Sequence, residues 1–158
     1  MDVSLKKATE HDARAIFDMQ VASFMPLLER YKDYDTNPAN ESIERVHQRI
    51  QREDGEFYKI YAAHQLVGAI YIRWKDKGAF WMGPLFILPA DQGKGIAQRA
   101  IGLVEEMFPH AQTWELATIL EEKGSCYLYE KVGYELTGES HPLNEHATLI
   151  FYKKTRHL

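Results

Sequence analysis

The stretch Leu85-Phe86-Ile87-Leu88-Pro89-Ala90-Asp91-Gln92-Gly93-Lys94-Gly95-Ile96-Ala97 decides how this chain is read. An apolar, strand-like run stops at Pro89. A turn with two glycines follows and opens directly into a helical pattern. Unpaired N–H groups at a helix start, reinforced by the helix dipole, form a ready anion site. Gly93 and Gly95 let the backbone approach a phosphate closely, and Lys94 adds positive charge beside it. Two familiar phosphate loops are excluded. A P-loop needs G-x-x-x-x-G-K-[S/T], but Lys94 is followed by Gly95. A dinucleotide fingerprint needs a third Gly or Ala where this chain has Gln98. What remains is Q-x-x-G-x-A, formed by Gln92, Gly95 and Ala97.

Outward from the turn, the pattern alternates between strand and helix. Downstream, a helix from about Gly93 to Phe108 has Ala97, Ala100, Ile101, Val104 and Phe108 on one face. A strand at 113–119 follows. A short helix at 122–132 carries Ser125, Leu128, Tyr129 and Val132 on one side and ends at Gly133. Segments 134–139 and 147–153 read as a closing antiparallel pair. Upstream, three strand-like runs cover 57–63, 66–73 and 79–88, with turns at His64-Gln65 and Asp76-Lys77-Gly78. Pro84 inside the third predicts a bulge or break. A first strand at 3–8 leads through Thr9 and Asp12, a capping-box pattern, into a helix that Pro26 should break. Residues 25–37 then read as irregular. Asn37 and Pro38 are placed to start a second helix that carries Ile43, Val46, His47 and Ile50 on one face. The whole is a mixed α/β sheet with helices on both faces.

The chain has 158 residues, enough for one domain at 1–158. Its net charge of −4 is not the footprint of a nucleic-acid binder. The one short basic cluster, Lys153, Lys154 and Arg156, reads as a solvated end. A single cysteine, Cys126, rules out an intrachain disulfide and points to a reducing cytoplasm. No run is apolar for long enough to span a membrane and the N-terminus has no signal-peptide pattern, so no membrane partner is expected. The seven histidines show no metal-ligand spacing, so no metal is expected.

With the strand Leu85 to Pro89 ahead of it, Q-x-x-G-x-A resembles the signature of the GCN5-related N-acetyltransferase (GNAT) superfamily, Q/R-x-x-G-x-G/A. Leu128-Tyr129-Glu130-Lys131-Val132-Gly133-Tyr134 is similar to that family's "YEK-x-G-F/Y" helix end, and the element order matches along nearly the whole chain. The resemblance implies a mainly antiparallel mixed sheet in which two parallel central strands, 79–88 and 113–119, splay apart. Acetyl-CoA would then be the acyl donor. The backbone of Leu85, Phe86 and Ile87 would pair with its pantetheine arm, and Gly93, Lys94, Gly95, Ile96, Ala97 and Gln98, with Gln92, would cradle the pyrophosphate. Glu122, Ser125 and Tyr129 complete the implied cofactor contacts. The matching tyrosine of the family lies near the thioester sulfur, so Tyr129 is the expected general acid for the departing thiolate. An amide on the 79–88 strand, at Ile87, is the expected oxyanion donor.

Two positions depart from the family. Where many members carry a cofactor-contacting asparagine, this chain has Glu122, whose acceptor-only carboxylate cannot copy an amide donor. Where some members carry a basic glutamate on the fifth strand, this chain has Ala117. Glu115, two residues earlier on the same strand face, is the substitute candidate for the catalytic base, with Glu139 and His141 behind it. The expected reaction is direct acetyl transfer to a primary amine of a small molecule or peptide. Glu29, Tyr31, Asp33, Tyr34 and Asp35 are placed to attract a cationic acceptor, and Trp74, Trp81 and His64 are further candidates for its pocket. Cys126 is expected to be a small buried filler. The alternatives are a non-catalytic acyl-CoA-binding sensor on the same fold and a mononucleotide-phosphate binder using the same turn. Homodimers, frequent in that family, are left open by the sequence.

Overall fold

The computed structural model describes residues 1–76 and 78–156. Seven strands form one sheet in the order β1-β2-β3-β4-β5-β7-β6. They are β1 (Val3–Lys7), β2 (Gly55–Ala62), β3 (Gln65–Trp74), β4 (Ala79–Ile87), β5 (Thr113–Ile119), β6 (Glu135–Pro142) and β7 (Thr148–Thr155). Every pairing is antiparallel except β4 with β5. The helices are α1 (Ala13–Tyr31), α2 (Ile43–Gln51), α3 (Ile96–Met107) and α4 (Lys123–Lys131). Central β3 is buried from Val67 to Ile72, on both of its faces, as a strand sandwiched between helix layers must be. On one side α1 and α2 cover Phe57, Tyr71 and Phe86 with Ile16, Met19 and Val46. On the other, α3 packs Ile96, Ala100, Ile101 and Val104 against Ile70, Ile72, Met82 and Leu116.

The parallel pairing is short. Only Ala79, Phe80 and Trp81 of β4 meet Thr113, Trp114 and Glu115 of β5. That end is clamped by aromatic rings: Phe80 lies 4.8 Å from Trp114 and 5.3 Å from Phe108 at the end of α3, with Trp74 5.8 Å from Phe80. Beyond Trp81 the two strands separate. The separation coincides with an irregularity in β4, where Ile70 faces Leu85 but Ile72 faces Met82. Gly83 and Pro84 therefore oppose Tyr71 alone, the bulge that a proline in a strand requires.

Three expectations are corrected. Pro26 does not end the first helix; α1 runs on to Tyr31 and is closed by Lys32 in the left-handed conformation. Pro26 and Ala22 are both exposed, so the carbonyl that loses its amide donor faces water, and burial of Leu28 and Tyr31 holds the last turns down. Asn37 does cap a helical turn, accepting from the Ala39 amide at 2.7 Å, but that turn is a 3-10 segment, Pro38–Asn40. α2 itself starts after Ser42. The C-terminal basic residues are not a free solvated end. Lys154 donates to Glu105 at 2.8 Å and to the Val132 carbonyl at 2.9 Å, while Arg156 donates to carbonyls at Glu105, Phe108 and Pro109. The charge they bring to the end of α3 ties β7 across it. Lys77, in the expected turn Asp76-Lys77-Gly78, lies outside the described residues.

β3 and β4 approach closely at Gly68, where an added Cβ would stand 2.1 Å from the Phe86 carbonyl oxygen. Gly68→Ala must push β4 away from β3, and we expect a loss of about 2 kcal/mol or more, the scale of overpacking a filled interior. Denaturant unfolding of wild type and variant measures it.

Candidate active site

Two cavities meet where β4 and β5 part. The first, of about 590 Å³, is bounded by the edge of β4, the turn into α3, α4 and the second half of α1. The second, of about 340 Å³, lies between the end of α1, the Pro38–Asn40 turn, β4, β5 and β7.

The β4 wall of the first cavity is an unpaired strand edge. The Leu88 amide donates to the Val67 carbonyl at 2.8 Å, on the β3 side. Strand amides alternate sides, so Phe86 also points to β3, while Leu85 and Ile87 turn their N–H and C=O groups to the gap left by β5. Buried backbone groups need partners, and this edge offers two residues of ladder to an extended ligand. The Ile87 carbonyl is taken by the Gln92 side-chain amide at 2.9 Å. That bond ties the strand end to the turn and leaves the Ile87 amide free.

The turn is short because Gly93 and Gly95 adopt φ of +77° and +80°. These values favour glycine and explain why α3 begins only at Ile96. A Cβ at either glycine would meet nothing within 4 Å, so the space in front of the turn is open. The amides opening α3 have no intrahelical carbonyl to bond, and the Arg99 amide closes the first turn on the Gly95 carbonyl at 3.1 Å. Gln92, Gly93, Gly95, Ile96, Ala97 and Gln98 all line this cavity. Lys94 does not; its ammonium lies 3.7 Å from Asp91.

α4 supplies the third wall. Glu122, Ser125 and Tyr129 line both cavities. Burial pushes the Tyr129 phenol up to about 12, with a smaller push from Cys126, so it stays protonated through the neutral range. The hydroxyls of the neighbouring Tyr134 and Tyr152 are committed to Glu105 at 2.8 Å and Glu130 at 2.7 Å. Cys126 is buried beside them.

Glu115 lies elsewhere. It lines a groove over β5, β7 and β6 with Glu139 and Phe151, 3.9 Å from the Lys153 ammonium, and lines neither cavity that holds Tyr129. His141 stacks edge-on against Phe151 at 5.4 Å. Of the acids and tyrosines at 29–35, only Asp33 lines the second cavity; Tyr31 is buried, and Glu29, Tyr34 and Asp35 are exposed. Asp33 accepts from the Thr36 amide and hydroxyl. Trp81 lines this cavity too, whereas Trp74 lines a groove at the clamped end of the sheet. His64 sits in the β2–β3 turn at a positive φ of 68°.

Sequence reasoning missed α1 and the charged pairs. Ser23, Phe24, Leu27 and Arg30 line the first cavity, and the last two are on a helix there only because α1 continues past Pro26. The Ser23 hydroxyl is buried without a partner. Arg30 donates from one nitrogen to both Glu122 oxygens, at 2.9 and 3.2 Å. In the second cavity Arg49 holds Glu41 through two bonds of 2.8 and 2.9 Å, and Gln20 adds a third to Glu41 at 3.0 Å. No helix of the described residues is long and apolar enough to cross a membrane.

Comparison with known proteins identifies the family and the fold. The family described as "Acetyltransferase (GNAT) domain" matches residues 28–155. No curated protein matches the chain. Among solved structures it is similar to a Salmonella typhimurium acetyl transferase that modifies the N-terminal serine of a ribosomal subunit protein, at 16% identity, covering 98% of this chain and 95% of that one, with a TM-score of 0.77. It is similar to Vibrio cholerae spermidine N-acetyltransferase in complex with CoA and spermine, at 17% identity, 97% and 95% coverage and a TM-score of 0.76. The PaiA N-acetyltransferase of Thermoplasma acidophilum, in complex with coenzyme A, gives 15%, 99% and 100%, and 0.76. At these identities the likeness is one of fold.

A methyl group at residue 95 has room but the wrong backbone. Gly95→Ala should cost about 1–2 kcal/mol through the left-handed conformation alone, less than Gly68→Ala where both clash and shift arise. It should also weaken coenzyme A binding, because the methyl stands in the open space before the turn. Unfolding curves and a coenzyme A titration of the same variant check both parts.

Proposed function

Because the chain belongs to the acetyltransferase (GNAT) domain family, we propose that it transfers the acetyl group of acetyl-CoA directly to a primary amine of a cationic small molecule or peptide. One observation carries the reading: Tyr129, half-buried, stands in the wall of both cavities where they meet. In this reading the first cavity takes acetyl-CoA. The free edge of Leu85 and Ile87 bonds the pantetheine arm as an added strand, and the amides from Gly93 to Gln98 hold the pyrophosphate at the helix start. The Ile87 amide faces the thioester carbonyl as the charge-stabilising donor. Tyr129 gives its proton to the departing sulfur. Two reacting groups held on either side of one junction lose little freedom when they meet, the main source of rate in such transfers.

The second cavity takes the acceptor. Its walls carry three carboxylates, Asp33, Glu41 and Glu122, and one cation, Arg49; even with Arg30 counted against Glu122, one negative charge is in excess. Phe24 and Trp81 add aromatic faces. An excess carboxylate beside aromatic rings favours an ammonium-bearing molecule. The relatives' polyamine and serine N-terminus are acceptors of that chemistry.

Two outcomes test this. Acetyl-CoA and CoA at about 100 times their dissociation constants should stabilise the protein by about 2.7 kcal/mol and raise its melting temperature, with little change from ATP; absence of a shift from either CoA species sinks the reading. With spermidine, L-lysine amide and a peptide with an N-terminal serine as acceptors, free CoA release should be measurable for at least one. Tyr129→Phe should then lower kcat by about 10²-fold with the acetyl-CoA melting shift kept. Because an amine of pKa about 10.4 must lose its proton to attack, kcat/KM should rise with pH through the neutral range. No descending limb from Tyr129 is expected below its own value of about 12.

A further inference from the structure

The side chain of Glu122 has a position that neither the fold nor cofactor binding explains. Glu122 is the N-cap of α4, yet its carboxylate makes no capping bond. Ser125 and Tyr129 follow it at three- and four-residue steps, so the three stack on one helix face, and each lines both cavities. Among the described residues, Glu122 is the only carboxylate in both walls. Asp91 lines the first cavity alone, Asp33 and Glu41 the second alone. Those two are also occupied: Glu41 is held by Arg49 and Gln20, and Asp33 by Thr36. Glu122 is held from one direction only, by a single nitrogen of the largely exposed Arg30. A carboxylate has about four acceptor sites, so the junction side of Glu122 remains available. Glu115, the other candidate, lies in a separate groove.

Resting on the acetyl-transfer reading above, we propose that Glu122 is the catalytic base of the reaction, oriented by Arg30 toward the point where the two cavities meet. The acceptor nitrogen attacks the thioester carbonyl carbon. As the C–N bond forms, the nitrogen becomes positive and its remaining protons become more acidic than those of the free amine. Glu122 takes one. The C–S bond then breaks with its electron pair on sulfur, and the Tyr129 proton follows to give the free thiol. The proton held by Glu122 returns to the Tyr129 oxygen through the Ser125 hydroxyl, which donates and accepts. The sum is amine and thioester in, amide and thiol out, with both side chains restored. The arrangement puts a proton acceptor and a proton donor on one helix face: a carboxylate beside a guanidinium, and a phenol that burial keeps protonated.

The test uses the full chain, acetyl-CoA and the three amines named above. Glu122→Gln keeps shape and removes the basic oxygen. It should lose about 10²-fold in kcat near neutral pH while keeping its acetyl-CoA melting shift, and the deficit should narrow as pH rises and hydroxide replaces the base. Glu122→Asp should recover part of the loss. Arg30→Ala, which leaves the carboxylate in place, should be the milder change by about tenfold. Glu122→Gln with kcat within about threefold of wild type overturns the assignment. So does loss of the acetyl-CoA shift in step with activity, which makes Glu122 a cofactor contact, or an equal loss in Arg30→Ala, which makes the pair a structural latch. A wild type that binds acetyl-CoA but acetylates none of the amines fails differently: there the acetyl-transfer reading falls first, and this assignment with it.

Discussion

The structure turns on the length of one parallel pairing. β4 and β5 share three residue pairs and then separate, which leaves the amides of Leu85 and Ile87 inside the protein without a strand to bond. Such groups are expensive to bury unpaired. A fold that keeps this gap must tolerate the cost or fill it with an extended ligand. Each element around the gap follows from that choice. The bulge at Gly83 and Pro84 lies where β4 parts from β5. The Gln92 amide satisfies the Ile87 carbonyl, so the strand ends cleanly and the glycine turn starts at once. α3 then points its unpaired amides back along the same trough.

A gap at one end requires a clamp at the other. Phe80 and Trp114 face one another across the parallel pairing of β4 with β5, and Phe108 and Trp74 close around them. Aromatic packing of this kind adds about 0.5–1.5 kcal/mol per pair beyond area burial, concentrated at the point from which the strands diverge. The C-terminal strap through Lys154 and Arg156 fixes α3 on the same sheet half. Opening near the ligand and tight packing away from it are therefore two results of one geometry.

Much of this could be read in the sequence, because the informative signals are local. Two glycines after a strand that ends in proline specify the turn by backbone geometry alone. The helical stripe Ala100, Ile101 and Val104 is buried as its spacing demands, and Pro84 sits at a break in the β3–β4 register. The misreadings share a cause: they depend on which way a residue faces in three dimensions. Pro26 looks like a helix stop until Ala22, whose carbonyl it leaves without a donor, is seen to be exposed. Lys154 and Arg156 look like a solvated tail until α3 presents carbonyls and Glu105 to receive them. Glu115 shares a strand face with Ala117, but it lies beside Lys153 in a groove shared with β6. Arg30 and Glu122 are 92 residues apart in sequence, beyond the reach of any periodicity.

That long-range pair also bears on how one fold serves different acceptors. The proposed cofactor half of the site rests mainly on backbone: strand-edge amides, a glycine turn and a helix start. Its demands are on φ at Gly93 and Gly95 and on spacing, rather than on particular side chains. The proposed acceptor half is built from side chains on α1, the Pro38–Asn40 turn, β5 and α4, whose charges leave one carboxylate in excess in a space of about 340 Å³. There the Glu122 carboxylate is matched by a cation, and α1, extended past Pro26, delivers Arg30 to it. Glu122 and the helix that outruns its proline thus act as one feature, at the junction where the two cavities meet.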